Sequence, residues 1–530
     1  KTSRTFRIFV SSTFSDLKAE RNALQQKVFP RLRDLAMSHG CRFQAIDLRW
    51  GVSDEAALDQ QTMKVCLGEI ERCQKTSPRP NFIVLLGDRY GWRPLPYEIP
   101  EKEFETILSI TSREDHLILN QWYRRDNNAI PPTYVLQPRK DEFANFDVWE
   151  NMETRLRSIL QSSACTLNFS QDALLKYTAS ATEQEIVNGA LKVPNAKEHI
   201  FCFLREIQNG PNNNAASNFF ETDPQIAGMQ SDLKNRLRQT FSNNVHEYSS
   251  NWKNDGPSLD HLDQLCEDVY HELSAVISSE LERLEEIDQL DREIANHEIF
   301  KSERTRIFFG RKEILNAIEK YISSPNNHPL IIHGVSGTGK SALIAKAIDI
   351  VQKDGQEIVY RFIGVTPESS NVRALLENLC RQISRQYGVD ESSIPVDYKE
   401  LVDEFPKRLA LATQEKPLIL FLDALDQLSA LGNIQDLAWM PMELPPNVRL
   451  VTSTLPGTYL EDFEKTIQEQ NRIEIQPMSV KDGESVLDAW LIESRRNLQN
   501  DQKKYLLQKF SDCGLPLYLK LSFEEAKLWK

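Results

Sequence analysis

Gly334-Val335-Ser336-Gly337-Thr338-Gly339-Lys340-Ser341 follows the apolar run Leu330-Ile331-Ile332-His333 and opens a helical pattern. The spacing is G-x-x-x-x-G-K-[ST] without a gap, between an expected strand and an expected helix. Glycines at these places let backbone N–H groups curl around phosphate oxygens, and the helix N-terminus adds its dipole. Gly334, Ser336, Gly337, Thr338 and Gly339 form the expected cradle. Lys340 is expected to reach the β- and γ-phosphates of a nucleotide, and the Ser341 hydroxyl to ligate Mg²⁺.

Outward from this motif, apolar runs at 358–363, 418–422 and 448–452 read as further strands of one α/β block. Asp423 closes the run 418–422, placed to hold Mg²⁺ directly or through water. Asp426 either polarises an attacking water or is a helix N-terminal charge. Ser453 or Thr454, after the fourth strand, could sense a γ-phosphate.

The amino-terminal part alternates in the same way. Strands are expected at 7–10, 43–48, 82–86 and 199–204, with helices at 17–38, 61–73 and 182–191. Such alternation predicts a parallel sheet with helices on both faces. Residues 94–180 read as a polar, mostly helical insertion, 209–218 as a loop, and 259–301 as an acidic helical stretch. Ligands of such sheets gather beyond the carboxyl ends of the strands. Ser11, Ser12 and Asp16 lie there, then Asp47, Arg49 and Trp50, then Gly87, Arg89, Tyr90, Gly91 and Trp92. Arg supplies a fork for phosphate, and Trp and Tyr supply stacking faces for a base. In the alternative, Asp47 and Arg49 pair structurally and the aromatic rings cap the core.

The 530 residues suggest three or four domains. The balance of 63 Lys+Arg against 77 Asp+Glu gives a net charge of −14, which argues against a nucleic-acid-coating surface. No apolar run reaches the roughly 20 residues of a membrane helix. The start, Lys1-Thr2-Ser3-Arg4 and then a strand, reads as a trimmed chain without a signal peptide. None of the eight cysteines forms a C-x-x-C pair, so buried free thiols in a reducing, cytoplasmic setting are expected.

Asp423-x-x-Asp426 after an apolar strand, Phe309-Gly310-Arg311 ahead of the phosphate loop, and Gly514-Leu515-Pro516-Leu517 together resemble the NACHT branch of STAND P-loop ATPases. The resemblance implies ATP or ADP with Mg²⁺. It places Arg311 at the adenine pocket and Pro516 against the nucleotide. It further implies a nucleotide-binding domain over 306–475, a helical subdomain over 476–530, and nucleotide-controlled self-oligomerisation. A winged helix and trigger-sensing repeats are expected beyond residue 530.

Phe9-Val10-Ser11-Ser12-Thr13-Phe14-Ser15-Asp16, Asp47-Leu48-Arg49-Trp50-Gly51 and Leu86-Gly87-Asp88-Arg89-Tyr90-Gly91 resemble the TIR-like domain DUF4062, which precedes NACHT modules in NACHT and WD-repeat, telomerase-associated and bacterial immune proteins. That implies a flavodoxin-like domain over 1–210 with a helical insertion at 94–180, and leaves 211–305 as an acidic helical linker. TIR enzymes cleave NAD⁺ at the nicotinamide–ribose bond, with a catalytic glutamate on the helix after the third strand. Glu185 best matches that position and Glu183 is the alternate; otherwise Glu185 is a helix-start carboxylate or a capping-box partner of Thr182. Glu69, in Cys66-Leu67-Gly68-Glu69, precedes the third strand and ranks lower. The resemblance thus implies an immune-type signalling ATPase driving a TIR-like effector that cleaves NAD⁺, or else a non-enzymatic scaffold. No membrane or direct nucleic-acid partner is expected.

Overall fold

The computed structural model describes residues 4–48, 58–210, 216–253, 256–285, 288–352, 357–428 and 437–530. Two compact units divide the chain, Lys1–Asn127 with Pro131–Glu286 and Asn128–Ile130 with Ile287–Lys530.

In the first unit, β1 (Thr5–Ser11), β2 (Arg42–Ile46) and β3 (Phe82–Leu86) come before an insertion containing β4 (Glu98–Pro100), β5 (Tyr123–Asp126) and β6 (Thr133–Leu136). Then follow β7 (Phe201–Gln208), β8 (Val245–Lys253) and the short β9 (Gly256–Pro257). The main sheet runs β2-β1-β3-β7-β8-β9, parallel as far as β8. Strand order 2-1-3-4-5 is that of the flavodoxin-like doubly wound fold. Every residue of β3 is buried, as expected when helices cover both faces. The helix expected at 17–38 is present, with a π-helical stretch Leu24–Val28 just before Pro30. It stops at Gly40, whose φ of +66° turns the chain.

The segment read as a linker departs from expectation. β8 pairs with β7 over seven residues, from Cys202 opposite Val245 to Gln208 opposite Asn251. The helix Leu262–Glu285 buries Leu265, Val269, Leu273, Ile277 and Leu281 in the core shared by Phe6, Leu24 and Leu32. Residues 216–285 are therefore part of the first domain. The rest of the presumed linker, the helix Gln289–Thr305, belongs to the second unit. There His297 Nδ1 accepts the Phe362 N–H at 3.1 Å. The insertion also differs from its polar composition. It has an antiparallel sheet, β4-β6-β5, and its own core around Phe104, Trp122, Trp149 and Leu156.

The second unit holds β10 (Leu330–His333), β11 (Glu357–Phe362), β12 (Leu418–Asp423), β13 (Val448–Thr454) and β14 (Arg472–Glu474). They form a parallel sheet in the order β11-β12-β13-β10-β14, so β13 lies between the phosphate-loop strand and the strand ending in Asp423. Helices Val480–Glu493, Asn500–Ser511 and Pro516–Ala526 enclose Leu487, Phe510, Leu519 and Phe523. The cysteines are free; Cys165 is exposed, contrary to the expectation of burial, and Cys513 partly so.

Candidate nucleotide-binding site

Strand β10 ends where its backbone must turn sharply, and glycine makes that turn possible. Gly337 and Gly339 have φ of +84° and +92°, conformations that strain any side-chain-bearing residue. The helix Lys340–Gln352 begins directly after. A cavity of about 640 Å³ opens over this loop, a size suited to a nucleotide. Ser336, Gly337, Thr338, Gly339, Lys340, Ser341, Arg311, Asp423, Asp426 and Pro516 all line it. The residues expected of a nucleotide site thus meet at one place. Gly334 lies just beneath, its carbonyl accepting from Lys340 Nζ at 2.6 Å.

Lys340 Nζ also donates to Val335 O at 3.1 Å. Burial lowers the pKa of this ammonium, opposed by Asp426 and Asp423. Burial raises the pKa of the Asp423 carboxyl, opposed by hydrogen bonds from the Ser341 and Ser453 hydroxyls and by the Lys340 charge. A serine hydroxyl and a carboxylate side by side are hard oxygen donors, the set that suits Mg²⁺. Mg²⁺ would be held by Ser341 and Asp423, with Lys340 on the adjoining phosphates.

Asp426 Oδ1 accepts the Leu455 N–H at 3.1 Å, and Oδ2 accepts from Gln427 Nε2 at 2.9 Å. Its carboxylate is thereby aimed by the loop that follows β13. Ser453 is one of the two residues, with Thr454, considered above as a γ-phosphate sensor. Its hydroxyl donates to Asp423 Oδ1 at 2.5 Å and accepts the Ala424 N–H at 2.9 Å, so it positions the carboxylate. Arg311, at φ +60°, donates to Gln476 O at 2.5 Å and Thr338 O at 3.1 Å. Gly310 before it admits the Asp482 carboxylate, which a Cβ would approach to 2.6 Å.

Sequence reasoning assigned no role to Leu517, Phe362, Trp490 or Lys520, which also line the cavity. Leu517 N–H donates to Gly337 O at 3.2 Å, tying the helical subdomain to the phosphate loop. Its place beside Pro516 in the Gly514-Leu515-Pro516-Leu517 motif was the available signal. A Cβ at Gly337 would stand 3.0 Å from Leu517 Cβ. Gly337→Ala should therefore cost about 1–3 kcal/mol of loop strain and weaken ATP binding about tenfold. Titration calorimetry checks this; unchanged affinity would contradict the tie.

In the first unit the expected residues divide into separate groups. Ser11 Oγ donates to Glu185 Oε2 at 2.7 Å, and Cys66 also bonds to this carboxyl. Tyr90 instead donates its hydroxyl to Glu183, which also takes Arg236 Nη1 at 2.5 Å. The helix Ala181–Ile186 is capped by Ser180, which accepts the Glu183 N–H at 3.2 Å, so Thr182 is not its cap. Arg89 Nη1 donates to Ser15 Oγ at 2.6 Å. Ser12 turns its hydroxyl to Thr13 O at 3.1 Å. Asp47 forms a buried ion pair with Arg21, so its carboxylate is spent within the protein. Arg49 and Trp50 lie outside the described residues. Glu69 is paired with Arg72 at 3.2 Å on the outer face of its helix.

Glu185 is only 8% exposed. Its helix is pinned by the Ala181 N–H to Trp92 O at 2.9 Å, and Trp92 Nε1 donates to Glu153 of the insertion at 3.0 Å. Burial raises the Glu185 carboxyl from 4.5 to about 7, opposed by the Ser11 and Cys66 hydrogen bonds and the Arg21 charge. Its folded pKa lies above its unfolded one, so its contribution to stability is present below pH 4.5 and lost as pH rises to about 7. Glu185→Gln should gain stability over wild type across that window and level off above it. Denaturant melts at stepped pH measure the difference; a constant offset would contradict a proton held on Glu185.

The sheet order, the glycine loop, and Asp423 on the neighbouring strand but one define a P-loop NTPase domain. Comparison with known proteins agrees. Residues 7–126 match DUF4062, a domain of unknown function, and residues 307–451 match an AAA ATPase domain. The chain thus joins a DUF4062 domain to a NACHT-like P-loop NTPase domain. It is 30% identical to the mouse NACHT domain- and WD repeat-containing protein 1 over 97% of this chain and 35% of that protein. It is 29% identical to the human NACHT and WD repeat domain-containing protein 2 over 99% of this chain and 34% of that one. For the rat telomerase protein component 1 the identity is 23%, over 99% and 18%. The chain therefore spans about a third or less of the length of these curated relatives. Among solved structures, AMPPCP-bound DnaA from Aquifex aeolicus has a weak likeness, at TM-score 0.26 and 16% identity over 42% of this chain and 64% of that one.

Proposed function

We propose that the chain is a signalling switch. Its NACHT-like domain binds ATP or ADP with Mg²⁺, hydrolyses ATP slowly and governs self-association, and its DUF4062 unit is a TIR-like effector that cleaves NAD⁺. The observation that carries the switch is the phosphate loop's double attachment. It holds Lys340 beside Asp423 and Asp426, and its Gly337 carbonyl takes the Leu517 N–H of the helical subdomain. Phosphates that claim Lys340 draw it from the Gly334 and Val335 carbonyls and change the loop to which Leu517 is tied. Nucleotide exchange then shifts a two-state equilibrium. No described helix is long and apolar enough to cross a membrane; a cytoplasmic location and a trigger sensed elsewhere in a longer protein are part of the proposal.

Support for the effector reading is the Ser11–Glu185 pair, formed at the last residue of β1. A carboxylate there can bind ribose hydroxyls and stabilise the oxocarbenium-like charge as nicotinamide leaves. The enclosure of Glu185 favours activity only after its helix shifts, as on assembly. The same enclosure is the specific observation behind a second reading, a TIR-like scaffold without catalysis. Purified full chain, with ATP, Mg²⁺ and a forced oligomer, is incubated with NAD⁺. Nicotinamide release is expected, falling at least about 100-fold in Glu185→Ala; no release from any oligomer sinks the enzyme and leaves the scaffold.

A further inference from the structure

The loop leaving β3 aims three donors at one point. The N–H groups of Tyr90 and Gly91 donate to the same oxygen, Glu221 Oε1, at 2.8 Å and 3.1 Å. Arg89 Nε stands 4.0 Å from it. Gly91 has φ of +88°, and a Cβ there would meet Thr13 Cγ2 at 3.0 Å, so glycine is what allows this N–H its direction. Successive N–H groups converging on one anion form a nest, the device that phosphate loops use. The position, beyond the carboxyl end of a central parallel strand, is where sheets of this order hold ligands. The exposed ring of Trp92 follows immediately and offers a stacking face.

The carboxylate in the nest arrives on the chain's own segment 216–221. Ser15 Oγ donates to Asn218 O at 3.3 Å, and Phe220 bridges to Asp88. The Phe220 ring takes the space beside Gly210, where a Cβ would fall 2.3 Å from it. Neighbouring acids already have cationic partners: Asp88 pairs with Lys234 at 2.8 Å, and Glu183 with Arg236 at 2.5 Å. Glu221 is thus the anion that the Tyr90, Gly91 and Arg89 donors face.

We propose that the Tyr90 and Gly91 N–H groups and Arg89 form a phosphate-binding subsite of the first unit, which Glu221 fills as a tethered competitor for a phosphate group of a nucleotide ligand. A phosphate offers more oxygens and more charge to the same donors than a carboxylate does. It displaces Glu221 when its concentration outweighs the advantage of the tether, and segment 216–221 then releases from the strand ends. The proposal rests on the first unit taking a phosphorylated ligand, and not on its cleaving one.

The test uses full chain carrying Lys340→Ala, so that the second unit's phosphate loop competes weakly, and pyrophosphate as the probe. Amide exchange over residues 87–92 reports the nest locally, and calorimetry gives the affinity. Glu221→Ala in this background should bind pyrophosphate about tenfold or more tighter, with the Tyr90 and Gly91 amides protected on binding. The near-isosteric Glu221→Gln should show a smaller gain, and adding Arg89→Ala should remove it. The proposal is overturned if neither Glu221 variant gains affinity, or if pyrophosphate protects only other segments. Nicotinamide release, measured on the forced oligomer with Mg·ATP in chains that keep Lys340, separates the two readings. Pyrophosphate protection without release removes NAD⁺ cleavage and keeps the subsite; release without protection removes the subsite.

Discussion

Lys340→Ala should weaken Mg·ATP binding by at least about 100-fold while the chain stays folded. The expectation follows from what the ammonium does. It stands among two backbone carbonyls and two carboxylates, half-buried, with its pKa lowered by that burial. A polyphosphate in the loop offers it charge-assisted hydrogen bonds, each worth about 1.5–3 kcal/mol. Loss of two such contacts, at about 1.4 kcal/mol per tenfold, gives the stated factor or more. Stability should change little, because the Gly334 and Val335 carbonyls that lose a donor can turn to water in an open cavity. Fluorescent-nucleotide titration and a thermal melt measure both quantities. Retained affinity would contradict the phosphate assignment, and lost folding would mean that Lys340 is structural.

The largest effect on stability is expected in the first unit, from Arg21→Ala. Arg21 and Asp47 have side chains only 2% and 3% exposed. Arg21 Nη1 also donates to Thr13 O at 3.3 Å. Removing one partner of a buried pair leaves the other charge without compensation, typically at about 3–5 kcal/mol. Replacing both by apolar residues of similar volume, as in Arg21→Met with Asp47→Leu, should cost much less. Denaturant unfolding with a probe in the first unit is the measurement, because a two-unit chain need not unfold in a single step. A loss below 1 kcal/mol for the single variant would restore Asp47 as a candidate ligand group.

The nucleotide site was legible because its signals are local. Gly334 to Ser341 lie in one run between a strand and a helix, and Asp423 ends an uninterrupted apolar strand. What the neighbours do with those residues was not legible. Ser453 holds Asp423, and a hydroxyl carries no mark in the sequence of the partner that tertiary structure gives it. β8 was missed because Val245-His246-Glu247-Tyr248-Ser249-Ser250-Asn251 has too few apolar residues for a strand signal. Its pairing on β7 comes from the sheet rather than from its own periodicity. By contrast, Leu265, Val269, Leu273, Ile277 and Leu281 recur every fourth residue, a buried-helix signal masked by the acidic residues between them. In the first unit, Ser11, named from its place after the first strand, and Glu185, named by resemblance, do meet. Asp47 pairs with Arg21, distant from it along the chain, a partner that its own neighbourhood in the sequence does not reveal. Arg205 is a cation directly after the apolar run Phe201-Cys202-Phe203-Leu204. It is 2% exposed and pairs with Glu20 at 2.9 Å.

In the proposed switch, nucleotide occupancy of the phosphate loop governs assembly. The most direct measurement is particle mass in solution, taken on full chain with ADP, then with Mg·ATP, for wild type and for Lys340→Ala. The wild type should form a larger particle with Mg·ATP than with ADP, and the variant should show one nucleotide-independent mass. Equal masses of the wild type under ADP and Mg·ATP, both with nucleotide bound, would contradict it.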